Sequence, residues 1–446
     1  MSKNYKPSQY NITTYDFNND LLITNLLRTK FLKVKDNKKN YVEALLNSKT
    51  MKYEDLADYV EMIEDGFFVE EDIKEFDICN LKYNELVYSN DALEITLIPT
   101  DDCNFKCIYC YQEDREYSYM SREVEDRILK FIDRNTPAYK KINIHWFGGE
   151  PLLIKDNIIS FMEKANEICK KHKKPLTGYM STNGYELDIE TFKKFISNKL
   201  LFFQITIDGT EKTHNIHRPH KSENDSYQRI MKNLTDIKNN INGFYKINLR
   251  INITQSILSE MNEYIEALSV FKNDDRFQIH WQLVRDYGGE KVHNLTNEMV
   301  SFSDIFVNYI DKATVSGVKT MYEFYFDFGS GLCSAPKRNS FYINHNGDIL
   351  KCSLAIYDDK HRDSNKIGTI DHNGVMNLDE NKHAKWILRN DVDEKCKKCS
   401  YYPLCFGAIC PLSRKFRGTH PCFPQKEELV YYMRSMSQNN KMKILA

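Results

Sequence analysis

From residue 93 to residue 284 the apolar positions alternate between two rhythms. Short runs of β-branched and aromatic residues recur at "LEITLIPT" (93–100), "INIHWF" (142–147), "LTGYMST" (176–182), "LFFQITI" (201–207), "KINLRINIT" (246–254) and "FQIHWQLV" (277–284). Each reads as a strand. Between them lie segments of helical period: "SREVEDRILKFIDRN" (121–135), "NIISFMEKANEICKKH" (157–172), "IETFKKFISN" (189–198), a stretch around 225–240 and "MNEYIEALSVF" (261–271). In the first of these Ser121 is placed to cap the helix, and Val124, Ile128, Phe131 and Ile132 share one face. Strands alternating with helices predict right-handed βαβ units and a parallel sheet, doubly wound or barrel-like. Six units fall short of the eight that close a barrel. The expected core is therefore α/β, a partial (β/α)6 barrel.

Both flanks have other rhythms. "YNITTYDF" (10–17) and "FLKVKD" (31–36) show short strand-like alternation. "YEDLADYVEMIEDG" (53–66) puts Leu56, Val60 and Ile63 on one helical face and ends at Gly66. "GFFVEE" then reads as a strand or turn leading into a second short helix. Two strands and about three helices are the content of a winged helix. After residue 330 helical pattern is weak until "KEELVYYMRSMS" (426–437), and seven of the 12 cysteines lie between Cys333 and Cys422. So poor an apolar complement suggests a domain organised by metal. The expected divisions are residues 1–88 (winged-helix-like), 89–310 (partial barrel), 311–332 (bridge) and 333–446 (metal-organised).

Composition narrows the class. Twelve cysteines in 446 residues is ordinary density, unlike a disulfide scaffold. The opening "MSKNYKPSQYNITTYDF" has no apolar core of a signal peptide, and no run of eighteen apolar residues predicts a membrane span. A cytoplasmic protein with reduced thiols is expected, where clustered thiols usually mean metal. With 62 Lys+Arg against 63 Asp+Glu, nothing in the charge calls for a nucleic acid or anionic membrane as partner. Residues 51–91 are the exception, with 13 acids against three lysines. That excess reads as a solvated helix face or as a surface for a cationic partner segment.

The chemistry concentrates in "CNFKCIYCY", where Cys103, Cys107 and Cys110 follow the first strand. Active sites of parallel α/β folds gather at that end of the strands. Structural zinc takes four ligands, and this loop offers three. An iron–sulfur cubane on three cysteines keeps one iron open for a ligand.

This stretch resembles the signature of radical S-adenosylmethionine enzymes, C-x3-C-x-aromatic-C, with Tyr109 as the aromatic. The resemblance implies a [4Fe–4S] cluster on Cys103, Cys107 and Cys110 whose open iron binds S-adenosylmethionine. "WFGGEPLL" is similar to the family's GGEP motif, which implies that Gly148, Gly149 and Glu150 lie along the methionine amino group. "STNG" places Asn183 in the family's T-N-G. "ITIDGTEKTHNIHRP" resembles [S/T]-I-D-G…H-D-x-x-R-P, which implies that Thr206 contacts the cofactor and Arg218 its carboxylate. Asn215 stands where that motif has Asp. Leu283, on the sixth strand, would flank the adenine.

The C-terminal cysteines resemble the SPASM extension of peptide-modifying radical enzymes. That likeness implies one auxiliary cluster on Cys396, Cys399, Cys405 and Cys422 and another on Cys333, Cys352 and Cys410, three [4Fe–4S] clusters in all. Four residues, "FGAI", precede Cys410 where the family has three. Zinc is the alternative occupant of a C-x2-C…C array. Cys79 and Cys169 match no motif, and Cys169 reads as a plain thiol on a helix. His145 and His280 read as core or rim histidines.

Together the likenesses imply a maturase of ribosomally made peptides. It would abstract hydrogen from a precursor peptide and form a cross-link, a thioether first. Residues 1–88 would then be a recognition element that binds the leader as an added strand. A flavodoxin or ferredoxin would supply electrons. An anaerobic sulfatase-maturating enzyme and an iron–sulfur electron carrier are the alternatives. A start at residue 103 is late for the former, and a carrier needs no GGEP or TIDG…R.

Overall fold

The computed structural model describes residues 3–112, 117–285, 294–301, 305, 309–321, 326–389, 392–407, 410–419, 422 and 428–445. These fall into two compact units: residues 88–322 with 334–388, and residues 1–87 with 323–333 and 389–446. Parts of the expected bridge (311–332), of "FGAI" and of "KEELVYYMRSMS" lie outside the described residues.

The larger unit is built on one sheet. Its parallel strands are β1 (Ala92–Ile98), β2 (Lys141–Trp146), β3 (Leu176–Thr182), β4 (Leu200–Thr206), β5 (Lys246–Ile253), β6 (Phe277–Leu283) and β7 (Lys319–Thr320). They are ordered β7-β6-β5-β4-β3-β2-β1. Each strand lies beside its predecessor, as in a barrel wall, and all six predicted strands are present. On its other side β1 pairs in parallel with β8 (Ser340–Asn344), and β9 (Asp348–Leu350), β10 (Lys366–Ile370) and β11 (Met376–Leu378) follow antiparallel. The sheet of the barrel thus runs on into the cysteine-bearing segment.

Alternation along the strands separates two faces. One carries Ile95, Ile144, Met180, Phe203, Leu249 and Ile279, all buried. Helices cover it: Trp146 of β2 packs edge-on to Phe161 at 5.2 Å, and Phe192 lies 4.9 Å from Phe203 of β4. The other face is polar: Thr96, His145, Ser181, Gln204, Arg250 and Gln282. His280 of β6 meets Gln204 of β4 at 3.2 Å although β5 lies between them. Neighbouring strands stand ~4.8 Å apart, so this contact requires a curved sheet that is concave on its polar face.

The helix α1 (Arg122–Asn135) starts as expected: the Ser121 side chain accepts a hydrogen bond from the Val124 N–H, and Val124, Ile128, Phe131 and Ile132 are buried. Cys169, in α2 (Lys155–Lys171), is a buried thiol pushed up to about 11 by burial. His145 and His280 are neutral interior groups, each lowered to about 4 by burial. Among the described residues no helix is long and apolar enough to cross a membrane.

In the other unit the N-terminal segment holds more strand than two. Asn4–Pro7 is the middle of a three-stranded antiparallel sheet with Met51–Lys52 and Phe68–Glu70. A second sheet orders Lys443–Leu445, Lys30–Val34, Leu21–Asn25 and Asn11–Tyr15. Its first strand comes from the end of the chain, so residues 1–87 and 389–446, read separately from the sequence, fall in one unit. Leu445 joins Leu21, Ile23, Leu32, Val34 and Phe68 in one core. Short apolar runs such as "MKY" and "KIL" carry no period long enough to announce a strand. The predicted helix over 53–66 divides into a 3-10 turn at Tyr53–Tyr59 and a short helix at Val60–Glu64, with Leu56 and Met62 as its buried anchors. A long helix, Glu75–Tyr88, buries Cys79.

Candidate active site

The segment after β1 turns back across the ends of the strands and is tied to the segment that carries Arg218. The Lys106 N–H donates to the Pro219 carbonyl (2.9 Å) and the Ile108 N–H to the His217 carbonyl (3.0 Å). The Lys221 N–H donates to the Asn104 carbonyl (2.8 Å), and Phe105 bridges His220. Two motifs more than a hundred residues apart thus form one surface. The GGEP turn braces the same loop: the Gly149 N–H donates to the Thr100 carbonyl (3.0 Å) and the Glu150 N–H to the Asp102 carbonyl (2.7 Å).

A cavity of about 470 Å³ opens at this end of the sheet. Cys107, Cys110, Tyr109, Thr206, Arg218 and Leu283 are on its wall. Cys103, Gly148, Gly149, Glu150 and Asn183 are not among its lining residues. Glu150 is a buried brace. Its carboxylate accepts from the Leu152 N–H (2.9 Å), the Thr182 hydroxyl (2.6 Å) and the Asn183 N–H (2.7 Å). Burial raises that carboxyl, and these bonds partly offset the rise. The two glycines serve loop approach: a Cβ on Gly149 would sit 1.9 Å from the Asp102 carbonyl oxygen, and Gly148 has φ +126°. Asn183 donates to Asn104 Oδ1 at 2.7 Å, a further tie to the cysteine loop.

Arg218 is buried and meets a polar cluster. Its Nη1 donates to the Tyr109 hydroxyl (2.7 Å), which also accepts from Asn252 Nδ2 (3.0 Å) and donates to Asp208. Asp208 in turn accepts from the Asn252 N–H at 2.7 Å. Burial opposes the Arg218 cation, and Cys107, Tyr109 and Asp208 more than offset it, so the guanidinium stays charged. Its Nε is buried with no hydrogen-bond partner among the described residues. Burial pushes the Cys107 thiol up to about 12, and a bound cation reverses that. Among the described residues no three ligand side chains stand close enough together to hold a single metal ion; two thiols and a buried cation lining one cavity suit thiolate ligation of a larger cluster and an anionic ligand group.

Asn215 is a structural residue. Its Oδ1 accepts from the Ser226 hydroxyl (2.8 Å) and the Tyr227 N–H (2.9 Å), where the helix Ser226–Asn240 begins. The sequence reading missed Asp208, Gln204, Arg250, Asn252, Gln282, Arg285, Ser353 and Leu354. All but Asp208 line the cavity. Arg250, Asn252 and Gln282 lie on the polar faces of alternating strands, and period-two alternation was the available signal.

The remaining cysteines fall in two places. Cys352 is buried in the larger unit, its backbone clamped by Asn365, which accepts from the Cys352 N–H and donates to its carbonyl, each at 2.8 Å. Cys333 and Cys410 belong to the other unit. So do Cys396, Cys399, Cys405 and Cys422. The Cys399 N–H donates to the Cys396 carbonyl (3.1 Å), and the chain reverses at Phe406 and Gly407, both at positive φ. Burial raises the Cys396 thiol, and the neighbouring Asp393, Cys399 and Cys422 add to the rise.

Comparison with known proteins agrees with this geometry. Residues 97–265 match the radical SAM superfamily model, and residues 333–400 match SPASM, an iron–sulfur cluster-binding domain. The cysteine-type anaerobic sulfatase-maturating enzyme of Clostridium perfringens is 24% identical over 75% of this chain and 92% of its own. The serine-type enzyme of Bacteroides thetaiotaomicron is 24% identical over 70% of this chain and 80% of its own. The solved structure of native anSMEcpe with bound AdoMet and Cp18Cys peptide superposes with a TM-score of 0.58 at 20% identity, over 78% of this chain and 98% of that one. These domains imply S-adenosylmethionine and iron–sulfur clusters. The chain is an enzyme of the radical SAM superfamily with a SPASM domain, and it performs a radical oxidative modification.

Proposed function

We propose that this enzyme is a cytoplasmic maturase acting on a ribosomally made peptide, from which it removes hydrogen to form a cross-link, a thioether first. The observation that carries the reading is the cavity, whose lining includes both Cys107 and Cys110 and Ser353 and Leu354 of the SPASM segment. A substrate entering it meets both the cofactor chamber and the auxiliary domain.

When bound, the cluster and S-adenosylmethionine supply a carbon radical that takes a hydrogen atom from the substrate. Cys103, Cys107 and Cys110 would hold that cluster. Arg218, fixed by Tyr109, would pair with the carboxylate of S-adenosylmethionine, Thr206 would touch the same molecule, and Leu283 would flank the adenine. Gly148, Gly149, Glu150 and Asn183 would shape this site by bracing the cysteine loop. Cys396, Cys399, Cys405 and Cys422 would hold one auxiliary cluster, and Cys333, Cys352 and Cys410 another, for three [4Fe–4S] clusters. Three thiols rather than four in the last set leave a place for the thiol of a substrate, which is why a thioether is preferred. The N-terminal segment would read the leader, and a flavodoxin or ferredoxin would supply electrons.

Formylglycine formation is the second reading, favoured by the sulfatase-maturating relatives. Those two matches leave at least a quarter of this chain uncovered, which suits an added recognition element. The test is to supply the reduced enzyme with the cysteine-containing peptide encoded beside its reading frame. Loss of two hydrogens with sulfur retained and the thiol blocked supports the maturase. A trappable aldehyde supports formylglycine formation. No 5′-deoxyadenosine and no mass change would refute both.

A further inference from the structure

Arg389 sits within the smaller unit, caged by three rings. Its guanidinium carbon lies 4.7 Å from the centre of Tyr83, 5.0 Å from Tyr402 and 5.7 Å from Phe406. Nη2 donates to the Tyr402 hydroxyl (2.8 Å), which donates to Asn80 Oδ1 (2.7 Å). Nε and Nη1 are buried and meet no acceptor among the described residues, and none of those residues offers a carboxylate as ion-pair partner. An inward cation without an anion is costly, and ring faces only partly compensate.

Two cysteines of the ligand set proposed above, Cys396 and Cys405, lie near it. The position a Cβ would take on Gly407 is 3.2 Å from Arg389 Nη2 and 3.5 Å from the Cys396 Sγ, so cation and thiol are no more than 6.7 Å apart. Cys405 also feels the guanidinium. A cluster held by four thiolates is anionic and becomes more so on reduction, and its potential follows net charge and burial. A fixed cation at this range, half-buried with its Nε and Nη1 shielded from solvent, favours the reduced form, and that shielding leaves the effect incompletely screened.

We propose that Arg389 is a positioning residue that raises the reduction potential of the cluster on Cys396, Cys399, Cys405 and Cys422. The proposal rests on the ligand set proposed above. It supplies an anion for a half-buried guanidinium and gives this cluster a tuned place in electron transfer.

The test is an EPR-monitored titration of the reconstituted full-length enzyme with dithionite. The component lost in Cys396→Ala identifies the cluster. Arg389→Met, which keeps the stem and removes the charge, shifts the one-electron equilibrium at least tenfold toward the oxidised form, or 59 mV. Arg389→Lys keeps most of the wild-type midpoint. Asn80→Asp, which sets a carboxylate against the Tyr402 hydroxyl and partly neutralises the cation, shifts the midpoint in the same direction as Met. An unchanged midpoint in Arg389→Met at full iron content overturns the proposal, as does a lysine variant shifted as far as the methionine one. If Arg389→Met fails to assemble, Asn80→Asp decides: an unshifted midpoint refutes. A Cys396→Ala enzyme that keeps every cluster shows instead that the ligand set is wrong.

Discussion

Replacing Gly149 by alanine tests whether the GGEP glycines serve the cysteine loop rather than a ligand. The new Cβ would lie 1.9 Å from the Asp102 carbonyl oxygen, 2.6 Å from its carbon and 2.7 Å from the Asp101 carbon. All three are backbone atoms, so no side chain can swing away. An ordinary contact needs about 3.4 Å, so the 101–102 peptides must retreat by about 1.5 Å. Cys103 is the next residue. The move also strains the bonds from the Gly149 and Glu150 N–H groups to the Thr100 and Asp102 carbonyls. Overpacking costs about 1–3 kcal/mol, and each weakened bond about 1 kcal/mol more, giving roughly 3–5 kcal/mol. A displacement of this size at a reacting centre costs on the order of a hundredfold in rate. The assay compares urea unfolding, iron content and 5′-deoxyadenosine release with the unaltered enzyme. The expected variant unfolds at lower urea, loads the barrel cluster poorly and cleaves cofactor at least about a hundredfold more slowly. Wild-type stability with wild-type cleavage would show that the loop tolerates the methyl and that the close approach has been misread.

Three further outcomes follow from the same geometry. Tyr109→Phe removes the hydroxyl shared by Arg218, Asn252 and Asp208; it weakens S-adenosylmethionine binding about tenfold in calorimetry, at roughly 1–2 kcal/mol for the lost anchoring, and unchanged affinity argues against Arg218 as a carboxylate partner. Alanine at Cys103, Cys107 and Cys110 together abolishes 5′-deoxyadenosine release, and release at the wild-type rate contradicts the cluster assignment. Burial pulls the Asp16 carboxyl up, but the hydrogen bonds from Lys33 and Ser437 outweigh it, and its folded pKa lies below 3.8. A depressed carboxylate contributes stability that is present above the unfolded value and lost as pH falls through the folded one. Asp16→Asn therefore lowers stability near neutral pH by roughly 1–3 kcal/mol and flattens the acid limb below about pH 4, whereas parallel acid-unfolding curves would contradict it.

Local pattern was enough for the barrel. Six alternating apolar runs and their helices, with Ser121 as a cap, are properties of a few consecutive residues, and period and capping act at that range. The spacing of Cys103, Cys107 and Cys110, and the motif residues Thr206, Arg218 and Leu283, were legible for the same reason, and all but Cys103 line one cavity. What the motifs do there needed the tertiary structure. The hydrogen bonds that make Glu150 a brace and Asn215 a helix cap come from partners that sequence spacing does not specify. Arg250 and Asn252 belong to the site because the sheet curves polar face inward, a property of strand packing and not of one strand. The pairing of Lys443–Leu445 with Lys30–Val34 joins segments about 410 residues apart, and three residues hold too little period to predict it. Arg389 carries no motif, and it stands near Cys396 where the chain turns at Gly407, whose missing side chain leaves cation and thiol one small space.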